Sequence, residues 1–233
     1  MASRSSSRGT LALIGGGEWG EHHQALDRRL SELSGAADVV VLPTAAAFEH
    51  PERIGAVAER HFAPLGVSTR TLSVLNRRDA EDATNAKAVE AAKFVYLADG
   101  SPMHLRSVLK GSTLYEAMLA AFHGGAVVAA SGAAATVLCD PMVDPRGGAY
   151  TVGLGFVEGL AVFPYHGTAA DHLLARSVDL KPPEAVLVGV DAETALVREP
   201  GPAWSVAGAG VVTIYGDDGP TQYAAGADGI ALP

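Results

Sequence analysis

The residues whose types and spacing could support catalysis lie in one stretch, residues 124–140, which reads GGAVVAASGAAATVLCD. An apolar run ends in Ala-Ser-Gly and passes directly into small, helix-forming residues, a pattern that indicates a buried strand, a tight turn and a helix start. A nucleophile elbow has this geometry, because its apex residue is strained and small neighbours let strand and helix approach closely. The Gly-x-Ser-x-Gly pattern is absent, so a plain turn with one buried serine, Ser131, is the alternative.

Two further side chains are candidates for chemistry. His166 ends the segment Phe-Pro-Tyr-His after an apolar strand, and histidine is the residue that most often takes a proton from a serine hydroxyl. The alternative role for His166 is that of a hydrogen-bonded loop residue. Cys139 is the only thiol, and its place inside the predicted helix favours a small buried residue over a nucleophile.

Strands and helices alternate in the sequence up to residue 142. The predicted strands are 11–14, 38–44, 67–72 and 94–97, and the predicted helices are 21–33, 51–62, 80–92 and 114–122. Such alternation implies right-handed crossovers and a mainly parallel central sheet with helices on both faces, a three-layer α/β sandwich. The loop that carries Ser131 and Gly132 is then expected at the carboxyl edge of the sheet, where ligands bind in such folds.

The second half of the chain has a different pattern, with mostly strands instead of alternating strands and helices. Its predicted strands are 160–163, 185–190, 194–197 and 210–215, with one helix at 169–179 and turn signals between them. No linker divides the chain, so we expect a disordered tail at residues 1–10 and one domain from 11 to 233.

Composition narrows the function classes. The chain has 17 basic and 26 acidic residues, a formal charge of -9, and no basic stripe, which argues against nucleic acid or an anionic membrane as partner. It has one cysteine, no long apolar segment, and no apolar core of a secretory signal at its start. We therefore expect a cytoplasmic protein with no cofactor and no metal, whose partner is a small molecule; a homodimer is a further possible assembly.

Several separate stretches resemble one known family. They are residues 13–18, residues 42–45 (LPTA), residues 153–156 (GLGF), residues 189–196 (GVDAETAL) and, most closely, residues 130–142. The last follows without a gap the pattern G-T-S-A-G-A-A-V-M-S-D-x-M of cyanophycinases. The chain thus resembles the cyanophycinase and dipeptidase E family of serine peptidases, and the resemblance implies a class I glutamine amidotransferase-like, flavodoxin-like fold.

The resemblance implies acyl transfer by an apex serine, with His166 as its base. The oxyanion donors would be the backbone N–H of Gly100 and that of the residue after the nucleophile, which is Ala133 in the gapless alignment and Gly132 if Ser131 is the apex. The third member of the triad stays open, with three acidic residues near matched segments as candidates: Asp144, Asp191 and Glu193.

The departures from the family pattern matter as much as the matches. In the gapless alignment the nucleophile position falls on Gly132, and Ser131 takes the place of a threonine. The alternative register puts Ser131 at the apex, with Ala129 and Ala133 in the flanking glycine positions, and loses the match that follows. We favour the gapless register, because a serine one step early would face the core or the wrong side of the turn.

The loop opposite the turn also departs from the pattern. In Asp-Gly-Ser-Pro, residues 99–102, an acid replaces a glycine and a proline removes a donor near the oxyanion site. A carboxylate at Asp99 would oppose a developing negative charge. Residues 166–172 lack both arginines of the family's H-F-x-x-R-x-R pattern, so recognition of an acidic ligand is not expected.

Two functions follow from these observations. The first is a non-catalytic or altered-function relative that uses its pocket to bind a small peptide, an amide or a partner. The second is an active serine hydrolase of short peptides or amides that uses Ser131 and His166. In either case His166, Gly100 and the turn at Ser131 and Gly132 are expected in one cleft.

Overall fold

The computed structural model describes residues 9–233. The predicted tail, residues 1–10, lies outside the described residues except for Gly9 and Thr10. Thr10 is already the first residue of a buried strand, so the predicted boundary after residue 10 falls within this strand.

The elements are short and closely spaced. The helices are α1 Gln24–Ser34, α2 Pro51–Phe62, α3 Arg77–Ala80, α4 Ala83–Glu90, α5 Pro102–Leu109, α6 Thr113–His123, α7 Ala133–Leu138 and α8 Asp171–Asp179. The strands are β1 Thr10–Ile14, β2 Asp38–Leu42, β3 Ser68–Thr71, β4 Phe94–Leu97, β5 Val127–Ser131, β6 Cys139–Asp140, β7 Met142–Asp144, β8 Ala149–Thr151, β9 Val157–Glu158, β10 Leu160–His166, β11 Val186–Asp191, β12 Thr194–Arg198, β13 Ala203–Gly208, β14 Val211–Gly216, β15 Gly219–Ala224 and β16 Ile230–Ala231.

The central sheet has eight strands in the order β16-β13-β12-β1-β5-β4-β2-β3. β1, β5, β4, β2 and β3 pair in parallel, whereas β12, β13 and β16 extend the sheet in antiparallel pairs. Because the carboxyl ends of β1, β4 and β5 meet at one edge, the loops that follow these three strands come together there. The predicted mainly parallel sheet is confirmed.

Both faces of this sheet are covered by helices. Residues of opposite parity in each strand face opposite layers, so Ala12 and Ile14 pack with α1 and α2, while Leu11 and Leu13 pack with the layer that contains α5, α6 and α7. The predicted three-layer α/β sandwich is therefore also confirmed.

A second sheet, in the order β10-β11-β14-β15, is built from the second half of the chain. β10 and β11 pair in parallel, and β14 and β15 add antiparallel strands. Its strands carry His166, Asp191 and Tyr215 at their ends, so this sheet positions the predicted base.

One helix near the site is missing from the sequence prediction. α5 begins at Pro102, directly after Ser101, whose hydroxyl accepts the N–H of His104 as an N-terminal cap. Proline is favoured at the first helical position because its missing N–H would have no partner there. Pro102 therefore removes no hydrogen-bond donor from the predicted oxyanion site, and the N–H of Gly100 remains a donor.

Candidate active site

The turn after β5 has the backbone of an elbow. β5 ends at Ser131, α7 begins at Ala133, and Gly132 between them has φ 53° and ψ -115°. The N–H of Gly132 donates to the carbonyl of Ile14 at 2.9 Å, which ties the turn to the end of β1. A positive φ outside the helical wells is the strained conformation of an apex residue. Gly132 lies at the apex, one residue beyond Ser131.

Ser131 faces away from the open side of the turn. Its side chain is fully buried on the same face of the sheet as Ala129 and Val127. Its hydroxyl donates to Oε2 of Glu18 at 2.6 Å. The hydroxyl is therefore held by a carboxylate from the loop after β1.

The two predicted oxyanion donors converge on one atom. The N–H of Gly100 and the N–H of Ala133 both donate to Oδ1 of Asp99, at 2.6 and 2.7 Å. The hydroxyl of Tyr165 donates to Oδ2 of the same carboxylate. Burial and this hydrogen bond raise the pKa of Tyr165, so the phenol keeps its proton and acts as a donor. The Asp99 carboxyl group thus occupies both of the predicted oxyanion donors.

The same carboxylate fills the space above the apex. A Cβ atom built on Gly132 would overlap Cγ and both carboxylate oxygens of Asp99. A serine at position 132 would need this volume for its side chain. A side chain at position 132 therefore cannot be accommodated unless the Asp99 carboxylate moves.

Glu18 is the second acid of the site. Its Oε1 accepts the N–H of Asp99 at 2.9 Å, and its Oε2 accepts the hydroxyl of Ser131. Burial raises the pKa of Glu18; the two hydrogen bonds oppose this rise, and the nearby charge of Asp99 adds to it. Glu18 thus links the Ser131 side chain to the loop that holds Asp99.

A cavity of about 240 Å³ opens beside these groups. It is lined by Gly17, Glu18, Ala46, Glu49, Ile54, Asp99, Gly100 and Tyr165. Its lining includes three carboxyl groups and no lysine or arginine. The cavity therefore favours a neutral or cationic ligand over an anion.

The predicted base, His166, has partners of its own. Its Nδ1 lies 2.9 Å from Oδ1 of Asp191, and its Nε2 lies 2.8 Å from the hydroxyl of Tyr215. Within residues 9–233, no hydrogen bond joins His166 to Ser131 or to Asp99. The side chain of the preceding residue, Tyr165, is the one that bonds to Asp99.

The structure distinguishes the three candidate acids. Asp191 is bonded to the histidine and also accepts the N–H of Val211 at 2.9 Å. Asp144 forms an exposed ion pair with Arg146, and Glu193 accepts the N–H of His22. Asp191 is therefore the acid that orients the predicted base.

The comparison with known protein families follows the same elements. A model of peptidase family S51 matches residues 11–203, from β1 to the start of β13. The chain belongs to peptidase family S51. This confirms the resemblance to the dipeptidase E and cyanophycinase family.

Two solved structures extend the comparison. The crystal structure of a peptidase from an acI-B1 Actinobacterium has a TM-score of 0.87 and 27% identity, and the match covers 97% of this chain and 98% of that one. A putative peptidase E protein from Listeria monocytogenes EGD-e has a TM-score of 0.67 and 14% identity, over 86% of this chain and 98% of that one, and so shares the fold. No curated protein gives a significant match.

Within this S51 site, Glu18, Tyr165 and Tyr215 are absent from the sequence prediction. Glu18 follows the glycines after the first parallel strand, a place where binding loops begin, and this was a usable signal. Tyr165 stands next to the predicted base. Tyr215 carries no local signal, because only the pairing of β11 with β14 brings it to His166.

Other chemistry has less support in the structure. Burial raises the pKa of the Cys139 thiol to about 12, which keeps it protonated and unreactive. In the part of the chain that the structure describes, no three His, Cys, Asp or Glu side chains are grouped to hold a metal ion. None of the helices within residues 9–233 has the length and apolar character needed to cross a bilayer.

The raised pKa of Glu18 predicts a pH-dependent stability difference. The folded protein holds the Glu18 proton more tightly than the unfolded chain does, so the bound proton stabilises the folded state. This stabilisation is fully present below the unfolded pKa and is lost as pH rises through the folded pKa. A Glu18→Gln variant cannot lose a proton there. From about pH 4 to pH 7 its free energy of unfolding, measured with urea, should rise relative to that of the wild type.

The exposed Glu59, in α2, offers a matched control. The difference in free energy of unfolding between Glu59→Gln and the wild type should change much less over the same pH range. If the difference in free energy of unfolding between Glu18→Gln and the wild type did not change with pH, that result would contradict the buried, charge-coupled environment of Glu18.

Proposed function

We propose that this S51 protein is a non-catalytic or altered-function relative of serine peptidases, which binds a small peptide or amide beside Asp99 instead of forming an acyl-enzyme. The observation that carries the proposal is the position of the Asp99 carboxylate. It lies above Gly132 and accepts both N–H groups that an oxyanion would need.

The chemistry of acyl transfer supports this proposal. A peptidase needs a nucleophile at the apex and unoccupied donors for the oxyanion that develops in the transition state. Gly132 offers no nucleophilic atom, and Asp99 adds a negative charge where another must develop. Since removal of one oxyanion donor costs about 10²–10³-fold in rate, the loss of both to Asp99 opposes catalysis strongly.

The alternative is an active serine peptidase that uses Ser131 and His166. The observation in its favour is the intact pair of His166 and Asp191, which has the geometry of an oriented base. Against it, Ser131 is fully buried, and its hydroxyl donates a hydrogen bond to Glu18 and not to a histidine. Activity through Ser131 would require the turn to rearrange.

The cavity supports a ligand class for the proposed binding function. The carboxylates of Glu18, Glu49 and Asp99 line it. The two arginines that the family pattern has after His166 are absent from this sequence, so a ligand with an acidic side chain is not expected here. An ammonium group, such as the free amino end of a short peptide, complements this lining. The peptide carbonyl would then lie near the hydroxyl of Tyr165.

Catalysis through Ser131 is tested by covalent labelling. The wild-type protein is incubated with a fluorophosphonate, which reacts with activated serines, and the adduct is mapped by peptide mass spectrometry. We expect no adduct on Ser131, because its hydroxyl is buried and is bonded to Glu18 instead of to the predicted base, His166. Stoichiometric labelling of Ser131 that is lost in His166→Ala would establish the active serine peptidase instead.

Ligand binding is tested by nuclear magnetic resonance with alanyl-alanine and its N-acetyl form as a matched pair. The free dipeptide should shift the amide resonances of Gly17, Gly100 and Tyr165 saturably and remain uncleaved, whereas the acetylated form should bind more weakly. Equal binding of both forms would contradict the role of the carboxylates. The absence of any saturable shift would contradict binding in this cavity.

A further inference from the structure

A triad of side chains stands outside the turn at Gly132. Asp191, His166 and Tyr215 come from the ends of β11, β10 and β14 in the second sheet. One hydrogen bond joins Asp191 to His166 at 2.9 Å, and a second joins His166 to Tyr215 at 2.8 Å. An acid that orients a histidine, which in turn contacts a hydroxyl, is the diagnostic arrangement of an activated nucleophile.

The hydrogen bonds assign a direction to the triad. Oδ2 of Asp191 accepts a hydrogen bond from the N–H of Val211, which fixes the carboxylate. Because a carboxylate oxygen only accepts, the Nδ1–H of His166 donates to Oδ1. A neutral imidazole with its proton on Nδ1 has a lone pair on Nε2. The hydroxyl of Tyr215 therefore donates to Nε2, the atom that acts as the base in serine triads.

The phenol ring is held in place by packing. Tyr215 packs against the buried cluster of Val143, Ala161, Phe163 and Leu187. The planes of its ring and of the His166 ring meet at 62°, with ring centroids 6.0 Å apart. Because the aromatic ring has few rotatable bonds and is fixed on one side, little entropy is lost when the hydroxyl reacts. Tyr215 remains partly exposed, so a small reagent can approach it.

We propose that Tyr215 is a nucleophile that accepts acyl or sulfonyl groups from activated small molecules, with His166 as its general base. The phenolic oxygen forms a bond to the electrophilic carbon or sulfur, and Nε2 of His166 takes the phenolic proton. The bond to the leaving group breaks, and the leaving group receives that proton. Asp191 positions the imidazole and takes no proton in this step.

The base is needed because Tyr215 is not a preformed phenolate. Burial, and next the charge of Asp191, raise the pKa of its hydroxyl above the ordinary value. Phenols nevertheless ionise far more readily than aliphatic alcohols, so a histidine that activates serine in other proteins has an easier proton to remove here. The inference concerns a different residue from Ser131 and holds whether or not the cavity beside Asp99 binds a peptide.

The test compares two tyrosines in the full-length wild-type protein. The protein is incubated with phenylmethanesulfonyl fluoride, and the rates of adduct formation at Tyr215 and Tyr223 are measured by quantitative peptide mapping. Tyr223 lies on the adjacent strand β15, is also partly exposed, and serves as the internal control. Since general base catalysis typically contributes about 10²–10⁴-fold, we expect Tyr215 to react at least about 10-fold faster than Tyr223.

Two variants separate activation from exposure. His166→Gln should lower the rate at Tyr215 to that at Tyr223, and Asp191→Asn should lower it in part, while the rate at Tyr223 stays constant. Equal rates at the two tyrosines in the wild type would overturn the proposal without any variant. A fast reaction at Tyr215 that survives His166→Gln in a protein with a wild-type circular dichroism spectrum would overturn it as well.

Discussion

The Asp99 carboxylate, bound by the N–H groups of Gly100 and Ala133, is the interaction on which the site depends. One oxygen satisfies two backbone donors that converge from different loops, and the other accepts the hydroxyl of Tyr165. A charged acceptor with several donors is among the stronger hydrogen-bonded arrangements in proteins. It links the loop after β4, the turn after β5 and the end of β10, and it occupies the space that a side chain at position 132 would need.

Two other polar groups of the site are also hydrogen-bonded to side chains of the protein. The hydroxyl of Ser131 is bound by Glu18, and the Nε2 atom of His166 is bound by Tyr215. Each group that would act on a peptide in a serine peptidase is thus bonded to a side chain of this chain. Family S51 supplies the scaffold and the converging loops, whereas these internal bonds change what the loops can do chemically.

The sequence predicted the fold well because alternation and periodicity are local signals. The helix Pro51–Phe62 and the strand Phe94–Leu97 have the predicted bounds, since a proline start and a continuous apolar run mark them clearly. The site was harder to predict. Asp99 was expected to repel an oxyanion, but only the geometry of the loop shows that its carboxylate turns back onto the donors. Tyr215 depends on long-range strand pairing, which no local pattern encodes.

A double-mutant cycle tests the steric and electrostatic match between Asp99 and Gly132 most directly. The free energies of unfolding are measured with urea for the wild type, Gly132→Ala, Asp99→Gly and the double variant. Backbone strain at position 132 is common to both backgrounds and cancels, so the cycle isolates the overlap of the new methyl group with the carboxylate. The account predicts that Gly132→Ala costs about 1–3 kcal/mol more in the wild type than in the Asp99→Gly background. Equal costs in the two backgrounds would contradict it.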